Sequence, residues 1–524
     1  MFCMCVYTRM CSFNFCQQFF SKSEIIICLT DMLTNIWHLT DVHVDPYYVT
    51  GSDAARCYCE TYESCPRSGS TCNLAPDHTT AAQFWGTGEG DCATPPSLYG
   101  SAMDFISTEH NMVYYTGDFA EAGAPYACIP TDNATLSKLR AEEQVISIIK
   151  SGWSHVKKAV NNSRVFGTLG NHDVVPGDVC KGTSEMKWLY ETLTEIWADD
   201  LNNEPAALST LLKGGYYSTN AGNNLQVISL NTNYLTLLNP EMKNTTSNAY
   251  QLGLDQLDWF DKEVKRIAAL VPSRKIHILG HIMPASSDNW VDNFYERFQY
   301  SIQQVGGSEI VKGLFWGHVH TDQWTLTREC NASAAAVVKE DQKKVSKEPK
   351  VQKIQNEEIL NATKGPIPNP CTGKPTAIML AGPSLTEGYP TTYPAIRKLQ
   401  FTTETWDLYD VITYNADLHT ANNNNLTSLP WKLLYSFREN YKMNDLSMKS
   451  FADLHTRMSM NNSKEWELYR GGNDERTTSN YYCSGYVKEG QLFPAVYNCN
   501  AICESECKTN WIQWLKGLIA APPA

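Results

Sequence analysis

Short apolar runs rich in β-branched and aromatic residues recur along the first 320 residues of the chain, and each run ends at a polar cluster. The runs cover residues 35–39, 112–115, 165–169, 225–230, 275–279 and 314–316. Runs of this length that are bounded by polar residues predict buried β-strands.

Helical periodicity separates several of these predicted strands. Residues 139–160 and 185–201 predict helices, and a third helix is indicated by apolar residues at three- and four-residue steps. These are Leu257, Phe260, Val264, Ile267 and Val271. Strands that alternate with helices are typical of sheets covered by helices. We therefore predict an α/β fold, in which a β-sandwich is flanked by helices.

Composition divides the chain into three parts. Residues 1–34 form an atypical N-terminal segment, either a signal sequence or an incorrect start, and residues 35–404 form the predicted catalytic domain. Within that domain, residues 331–370 include a charged stretch without apolar periodicity, so we predict a flexible insertion that Cys330 and Cys371 could close. Residues 405–524 are predicted to form a smaller, mainly helical, Cys-rich subdomain, with helices at 431–441 and 447–458.

The formal net charge of −13 changes the expected partners. Proteins that bind nucleic acid normally present a basic face, which an acidic chain does not favour. We therefore expect no nucleic acid polymer among the partners. No apolar run is long enough to span a bilayer.

The 18 cysteines and the glycosylation motifs indicate the cellular compartment. No two Cys-x-x-Cys pairs occur together, so the cysteines favour a disulfide framework over a metal cluster. Seven Asn-x-Ser/Thr motifs begin at Asn133, Asn161, Asn244, Asn331, Asn361, Asn425 and Asn461. Such motifs are acceptors for N-glycosylation. Together these features predict a secreted or lysosomal glycoprotein.

Five polar blocks carry the candidate chemistry. They are Asp41-Val42-His43, Gly117-Asp118, Gly170-Asn171-His172-Asp173, Gly280-His281 and Gly317-His318-Val319-His320. Each block follows a predicted strand, and ligands gather where the strands of α/β sheets end, so the blocks are predicted to line one pocket. The pairs Asp41/His43 and His318/His320 have i, i+2 spacing, which in an extended chain places both side chains on the same side.

Carboxylate, amide and imidazole groups are suitable ligands for divalent ions such as zinc, with iron and manganese as alternatives. Two such ions about 3.5–4 Å apart supply a nucleophile near neutral pH and neutralise charge on a phosphoryl group. The predicted ligands of the first ion are Asp41, His43 and His320, those of the second are Asn171, His281 and His318, and Asp118 bridges both. We predict His172 as the catalytic group that protonates the departing oxygen. Asp173 is predicted to orient the loop, and His277 to pack in the core.

The blocks, in this order, resemble the calcineurin-like metallophosphoesterase superfamily. Further segments resemble the acid sphingomyelinase and acid-sphingomyelinase-like phosphodiesterase group, and the resemblance runs from about residue 35 to 510. These segments are residues 213–217, 228–233, 275–281, 315–320 and 431–435, with the cluster Cys499, Cys503 and Cys507. The resemblance implies a zinc phosphodiesterase that cleaves sphingomyelin into ceramide and phosphocholine through in-line attack by a metal-bridging hydroxide, with peripheral contact to membranes. Relatives in the same group instead hydrolyse nucleotide phosphates, which is the alternative substrate class.

The chain departs from that group at two places. Acid sphingomyelinase itself carries a saposin-type domain before the catalytic domain, whereas only 40 residues precede Asp41, so we expect no saposin domain here. The group also has a histidine four residues after the bridging aspartate, where this chain has Ala122. The expected consequence is slower turnover, a shifted pH optimum or a weakly active homologue, unless Glu121 acts as the acid in place of that histidine.

Two competing interpretations stay open. A purple acid phosphatase uses nearly the same ligands, but its tyrosine ligand to iron would stand three residues after Asp118, where this chain has Glu121. A secreted binding protein that keeps the metal site without turnover is the non-enzymatic alternative, and Ala122 is the observation that favours it.

Overall fold

The computed structural model describes residues 33–54, 57–65, 72–75, 81–87, 92–120, 134–284, 290–291, 293–330, 371, 373–386, 394–458 and 464–465. The strands in these ranges are β1 Leu33–Leu39, β2 Met112–Tyr115, β3 Val165–Gly167, β4 Tyr217–Gly222, β5 Leu225–Ser229, β6 Lys275–Ile282, β7 Val311–Gly317, β8 Gln323–Arg328, β9 Pro375–Ala381, β10 Ala395–Thr402, β11 Leu408–Ala416 and β12 Trp431–Ser436. All six predicted strands are present.

The strands form two six-stranded sheets. The first sheet has the order β12-β11-β10-β1-β2-β3 and the second the order β4-β5-β6-β7-β9-β8. Strands β1, β2 and β3 are parallel to one another, as are β5, β6, β7 and β9. Antiparallel pairing adds β10, β11 and β12 beside β1 in the first sheet, and β4 and β8 at the two edges of the second. The parallel strands of each sheet therefore end at a common edge.

Helices cover the sheets. They are α1 Pro96–Ile106, α2 Ala134–Ala159, α3 Lys187–Trp197, α4 Pro205–Gly214, α5 Asn248–Ala268, α6 Phe294–Gln304, α7 Leu418–Asn423, α8 Phe437–Asn440 and α9 Met448–Met458. Ser247 caps α5 by accepting a hydrogen bond from the Tyr250 N–H, which satisfies one free donor at the helix start. In the described ranges, no helix has both the length and the apolar character needed to cross a membrane.

Successive residues of the central strands face two different apolar layers. Ile36 and Tyr114 lie in the core cluster between the sheets, together with Phe315 of the second sheet. Their neighbours Trp37 and Tyr115 belong to the cluster that packs against the helices. Parallel strands are normally buried on both faces, which explains why apolar residues here do not alternate strictly with polar ones. The two clusters confirm the predicted sandwich with flanking helices.

The predicted helix at residues 431–441 is wrong over most of its length. Trp431–Ser436 is strand β12, which pairs with β11, and only Phe437–Asn440 is helical. Cross-strand pairing here overrides a local apolar pattern that also fits a helix. The predicted domain boundary after residue 404 falls between β10 and β11, which pair in the same sheet. The helices predicted at 139–160, 185–201 and 447–458 correspond to α2, α3 and α9, and the apolar stripe from Leu257 to Ile267 lies in α5. The inclusion of Val271 in that stripe is wrong, because α5 ends at Ala268 and Val271 is 97% exposed.

Three disulfides are described, and one of them joins Cys330 to Cys371, as predicted. The other two, Cys57–Cys72 and Cys59–Cys92, cross-link the segment that follows the first polar block. Residues 1–32, the predicted insertion at 331–370 and the C-terminal cysteine cluster lie outside the described residues.

Candidate metal centre

The five polar blocks meet at the edge where parallel strands of both sheets end. In the first sheet, Asp41 and His43 follow β1, Asp118 follows β2, and Asn171 follows β3. From the second sheet, His281 lies near the end of β6, while His318 and His320 follow β7. All seven predicted ligands are buried except His318, which is half-buried.

The backbone at this edge is left-handed rather than extended. Five of the predicted ligands have positive φ: Asp41 49°, His43 43°, Asp118 56°, His318 72° and His320 56°. Such values are uncommon for residues other than glycine and cluster at functional sites. Asp41 and His43 do lie in one ligand group, whereas His318 and His320 fall in different groups, and the extended chain on which the i, i+2 prediction rested is wrong.

Two glycines permit the close approach of these loops. A Cβ atom on Gly170 would lie 1.9 Å from Asp118 Oδ1, and one on Gly317 would lie 2.0 Å from Thr40 Oγ1 and 2.7 Å from Asp41 Oδ2. Both positions therefore exclude any larger side chain without displacement of a predicted ligand.

The first group of predicted ligands consists of Asp41, His43 and His320, whose ligand atoms lie within 4.8 Å of one another. Asp41 Oδ1 is 3.3 Å from His320 Nε2 and 4.0 Å from His43 Nε2. The two imidazole nitrogens are 3.3 Å apart. This trio matches the predicted ligands of the first ion.

The second group consists of Asp118, His281 and His318, and Asn171 joins it. Asn171 Oδ1 lies 2.9 Å from His281 Nε2 and 3.0 Å from His318 Nδ1. Asp118 Oδ2 is 3.1 Å from His281 Nε2 in this group and 3.5 Å from His43 Nε2 in the first. Asp118 is therefore the residue that contacts both groups, as a bridging ligand must.

The orientation of the imidazoles fits a cation. The Nδ1 atoms of His43 and His281 lie 2.8 Å and 2.7 Å from the carbonyl oxygens of Ala120 and Thr116. A carbonyl only accepts, so Nδ1 donates, and in the neutral ring Nε2 presents its lone pair to the site. Asp118 Oδ2, which faces these nitrogens, is buried and accepts no well-oriented hydrogen bond from the described residues. This donor set fits two divalent cations held on either side of Asp118.

Burial and neighbouring charges act in opposite directions on the pKa values of the predicted ligands. Burial lowers the pKa of His281, yet Asp118 and Asp41 outweigh burial and raise it to about 9. Burial raises the pKa of Asp118, but His281 and His172 hold it well below its usual range. In His43 burial prevails, and its pKa falls to about 3, which favours the neutral ring that a metal ligand needs.

Asp173 holds the loop that carries Asp118 against the loop that carries Asn171. Its carboxylate accepts hydrogen bonds from the backbone N–H groups of Gly170 at 2.8 Å, Asp118 at 3.0 Å, Phe119 at 2.8 Å and Ala120 at 3.2 Å. The orienting role predicted for Asp173 agrees with these contacts. Burial and the charge of Asp118 raise its pKa to about 6.

Two further orienting residues were missed from the sequence. Asp178 accepts a hydrogen bond from Asn171 Nδ2 at 2.8 Å, which turns the amide oxygen toward the imidazoles. Thr40 donates to Asp41 Oδ2 at 2.6 Å. Thr40 adjoins a predicted ligand and was open to prediction on that ground, whereas nothing in the local sequence distinguishes Asp178.

His172 lies beside the pair of groups without belonging to either. Its ring is half-buried, and its centroid is 5.1 Å from that of His43 in an edge-on arrangement. Its backbone N–H donates to Asp118 Oδ1 at 2.8 Å, which fixes the start of this loop. Ala122 and Glu121 lie outside the described residues. His277 packs away from the site, with Nδ1 2.6 Å from the Tyr114 hydroxyl.

Comparisons with known proteins agree with this geometry. The model of the calcineurin-like phosphoesterase family matches residues 34–322. Human cyclic GMP-AMP phosphodiesterase SMPDL3A is 25% identical over 90% of this chain and 89% of its own length. Bovine sphingomyelin phosphodiesterase is 26% identical over 84% of this chain and 61% of its own length. Mouse acid sphingomyelinase-like phosphodiesterase 3b is 24% identical over 82% of this chain and 80% of its own length. The solved structure of a purple acid phosphatase from yellow lupin aligns with 77% of this chain and 53% of its own chain, at 12% identity and a TM-score of 0.33.

Proposed function

Because the chain belongs to the calcineurin-like phosphoesterase family, we propose that it is a metal-dependent phosphodiesterase whose substrate is a nucleotide phosphodiester, with sphingomyelin as the second candidate. The observation that carries the proposal is the placement of Asp118 between two groups of ligand atoms. The predictions of this family and of a phosphoric diester hydrolase are confirmed by the family match and the named relatives.

The seven buried and half-buried side chains would hold two divalent ions, proposed to be zinc. Asp41, His43 and His320 would bind one, Asn171, His281 and His318 the other, and Asp118 both. When bound, a metal pair supplies a nucleophile near neutral pH and neutralises charge on the phosphoryl oxygens. The chain itself holds these ligands in place. Thr40 donates a hydrogen bond to Asp41, and Asp178 accepts one from Asn171. Asp173 accepts hydrogen bonds from four backbone N–H groups of the ligand loops.

His172 would supply the proton that the leaving oxygen needs. Hydrolysis joins the oxygen of one water molecule to phosphorus, breaks the ester P–O bond and leaves an alkoxide that must be protonated. The half-buried ring lies beside His43, at the margin of the first ligand group, so solvent can return a proton to it after each turnover. General acid catalysis of this kind contributes roughly 10²–10⁴-fold to a rate.

The relatives favour a nucleotide substrate over a lipid. The relatives named as cyclic GMP-AMP phosphodiesterases match about nine-tenths of both chains, whereas the bovine sphingomyelin phosphodiesterase is matched over 61% of its length. Sphingomyelin was the substrate implied by the resemblance. It remains the second candidate because of the bovine sphingomyelin phosphodiesterase and of a nematode sphingomyelin phosphodiesterase that matches 83% of this chain.

A side-by-side assay tests the function and the substrate class. Purified protein of known metal content would be given cyclic GMP-AMP, sphingomyelin in detergent micelles and a chromogenic phosphodiester, at acidic and neutral pH. We expect hydrolysis of the chromogenic ester and of cyclic GMP-AMP, and loss of both in the Asp118→Ala variant. Preferred cleavage of sphingomyelin would exchange the two substrate candidates, and bound metal without any turnover would support a binding protein instead.

We also propose that the protein passes through the secretory pathway. Three described disulfides require an oxidising compartment to persist. The motif residues Asn161, Asn244 and Asn425 are exposed and so available to a glycosyltransferase. Enzymatic removal of N-glycans should reduce the apparent mass of protein from its native source, and an unchanged mass would count against this compartment.

A further inference from the structure

Four polar side chains form a row across the first sheet. His38 on β1 pairs with Arg397 on β10, Arg397 pairs with Thr413 on β11, and Thr413 pairs with Tyr435 on β12. Directly paired residues of neighbouring strands point to the same face of a sheet. His38 contacts Phe315 of the second sheet, so the row faces the interior of the sandwich. His38, Arg397 and Thr413 are completely buried.

Asp322 reaches this row from the second sheet. It ends the loop between β7 and β8, two residues after His320, and is 3% exposed. One carboxylate oxygen binds the guanidinium of Arg397, and the other accepts hydrogen bonds from Thr413 Oγ1 at 3.0 Å and from the Tyr435 hydroxyl. A single carboxylate thereby binds three neighbouring strands.

The interaction joins two charged groups that are both buried. Nε and Nη1 of Arg397 have no acceptor among the residues that the structure describes, so Asp322 provides the charge that balances this guanidinium there. Hydrogen bonds between ionised groups are shorter and about twice as strong as neutral ones. Removal of one partner from a buried pair leaves the other uncompensated.

The loop that Asp322 anchors carries two predicted metal ligands. His318 and His320 both adopt left-handed φ values, which an L-residue avoids unless its surroundings impose them. At one end the loop continues β7, where the His318 N–H donates to the Asp41 carboxylate at 2.9–3.0 Å. At the other end Asp322 binds the row. The conformation between these two ends fixes the positions of both imidazoles.

We propose that Asp322 is a positioning residue, which holds the His318–His320 loop in the geometry that metal binding requires by bonding to Arg397, Thr413 and Tyr435. This inference rests on the proposed function, because it presumes that both histidines bind metal. A purely structural role, in which the pair only joins the two sheets, would change stability without a change in metal affinity.

A second ion pair offers a matched control. Arg297 of α6 is 2% exposed, binds Asp258 of α5, and likewise has Nε and Nη1 without an acceptor within the described ranges. Asp258→Asn therefore removes the same kind of bond from a buried arginine in the helical layer. Tyr435→Phe removes one hydrogen bond to Asp322 and keeps the ion pair.

The experiment is a titration of metal-free full-length protein with Zn²⁺ against a chromogenic chelator, alongside urea unfolding. Wild-type protein should bind two ions. The Asp322→Asn variant should bind at least one of them about 10–100-fold more weakly, as for other residues that orient metal ligands. Tyr435→Phe should shift affinity in the same direction by less, and Asp258→Asn should match wild type in affinity even where it unfolds more readily.

Unchanged zinc affinity in Asp322→Asn would overturn the positioning role. If that variant does not fold, Tyr435→Phe decides, because affinity equal to wild type would then count against the proposal. Failure of wild-type protein to bind two ions would instead overturn the proposed function. The two failures are thus distinguishable.

Discussion

Replacing His277 with glutamine should make the fold less sensitive to acid. His277 is completely buried in β6, between the rings of Phe315 and Phe401, with the Tyr114 hydroxyl 2.6 Å from Nδ1. Burial, reinforced by Lys312, lowers its pKa from 6.5 to about 3. Glutamine at this position still offers an oxygen to the Tyr114 hydroxyl but takes up no proton at any of these pH values.

The sign of the effect follows from the order of the two pKa values. Between pH 6.5 and about 3 the unfolded chain binds a proton at His277 and the folded chain does not, so acid favours unfolding. The contribution of His277 to the free energy of unfolding is fully present above the unfolded-state pKa of 6.5 and is lost as the pH falls from there toward the folded-state pKa of about 3. At about pH 5, which lies roughly 1.5 pH units below the unfolded-state pKa, this group alone lowers the free energy of unfolding by about 2 kcal/mol.

Urea unfolding at neutral pH and at about pH 5 measures this difference. Wild-type protein should lose about 2 kcal/mol more of its free energy of unfolding on acidification than His277→Gln, and the exposed His419→Gln should behave like wild type. Equal losses in wild type and His277→Gln would refute the reasoning, since a buried neutral histidine must oppose folding in acid.

Three further substitutions address the metal centre. Asp118→Ala removes a contact to both ligand groups, so metal content by mass spectrometry should fall below one ion per chain and activity should be nearly lost; retention of two ions would contradict the bridging role. His172→Ala should keep both ions while turnover of a chromogenic diester falls about 10²-fold or more, and full activity would remove His172 from the mechanism. Gly170→Ala places a methyl group 1.9 Å from Asp118 Oδ1, so it should weaken zinc binding in a chelator titration, and unchanged affinity would show that the loop yields.

The sequence was sufficient to predict the parallel strands β1, β2, β3, β5, β6 and β7, and to predict that the polar blocks beside them meet, whereas the parallel strand β9 was missed. Strands β1, β2 and β6 are rich in apolar residues because both faces of the sheet are covered. Asp41 and Asp118 follow the first two strands, and His281 lies near the end of β6. The order of apolar run and polar block therefore identified the strands and the predicted ligands together. The resemblance to the superfamily rested on the same blocks, and that to the phosphodiesterase group on further segments; the match over residues 34–322 confirms the family.

The antiparallel strands beyond this parallel core and the orienting residues were not predictable in this way. β12 leaves Leu433 56% exposed, so its apolar residues do not mark one buried face, and only the pairing with β11 defines it as a strand. Asp178 and Asp322 act through partners that tertiary folding brings to them, as Arg397 does from 75 residues away. The left-handed φ values of the ligand loops likewise depend on contacts between strands, which the local sequence does not encode.

The central claim is that seven side chains hold two cations with Asp118 shared between them. Anomalous X-ray diffraction at the zinc edge, from crystals of the zinc-loaded protein, tests it most directly. We predict two peaks about 3.5–4 Å apart, one against Asp41, His43 and His320 and the other against Asn171, His281 and His318, with Asp118 in contact with both. A single peak, or peaks bound by other residues, would contradict it.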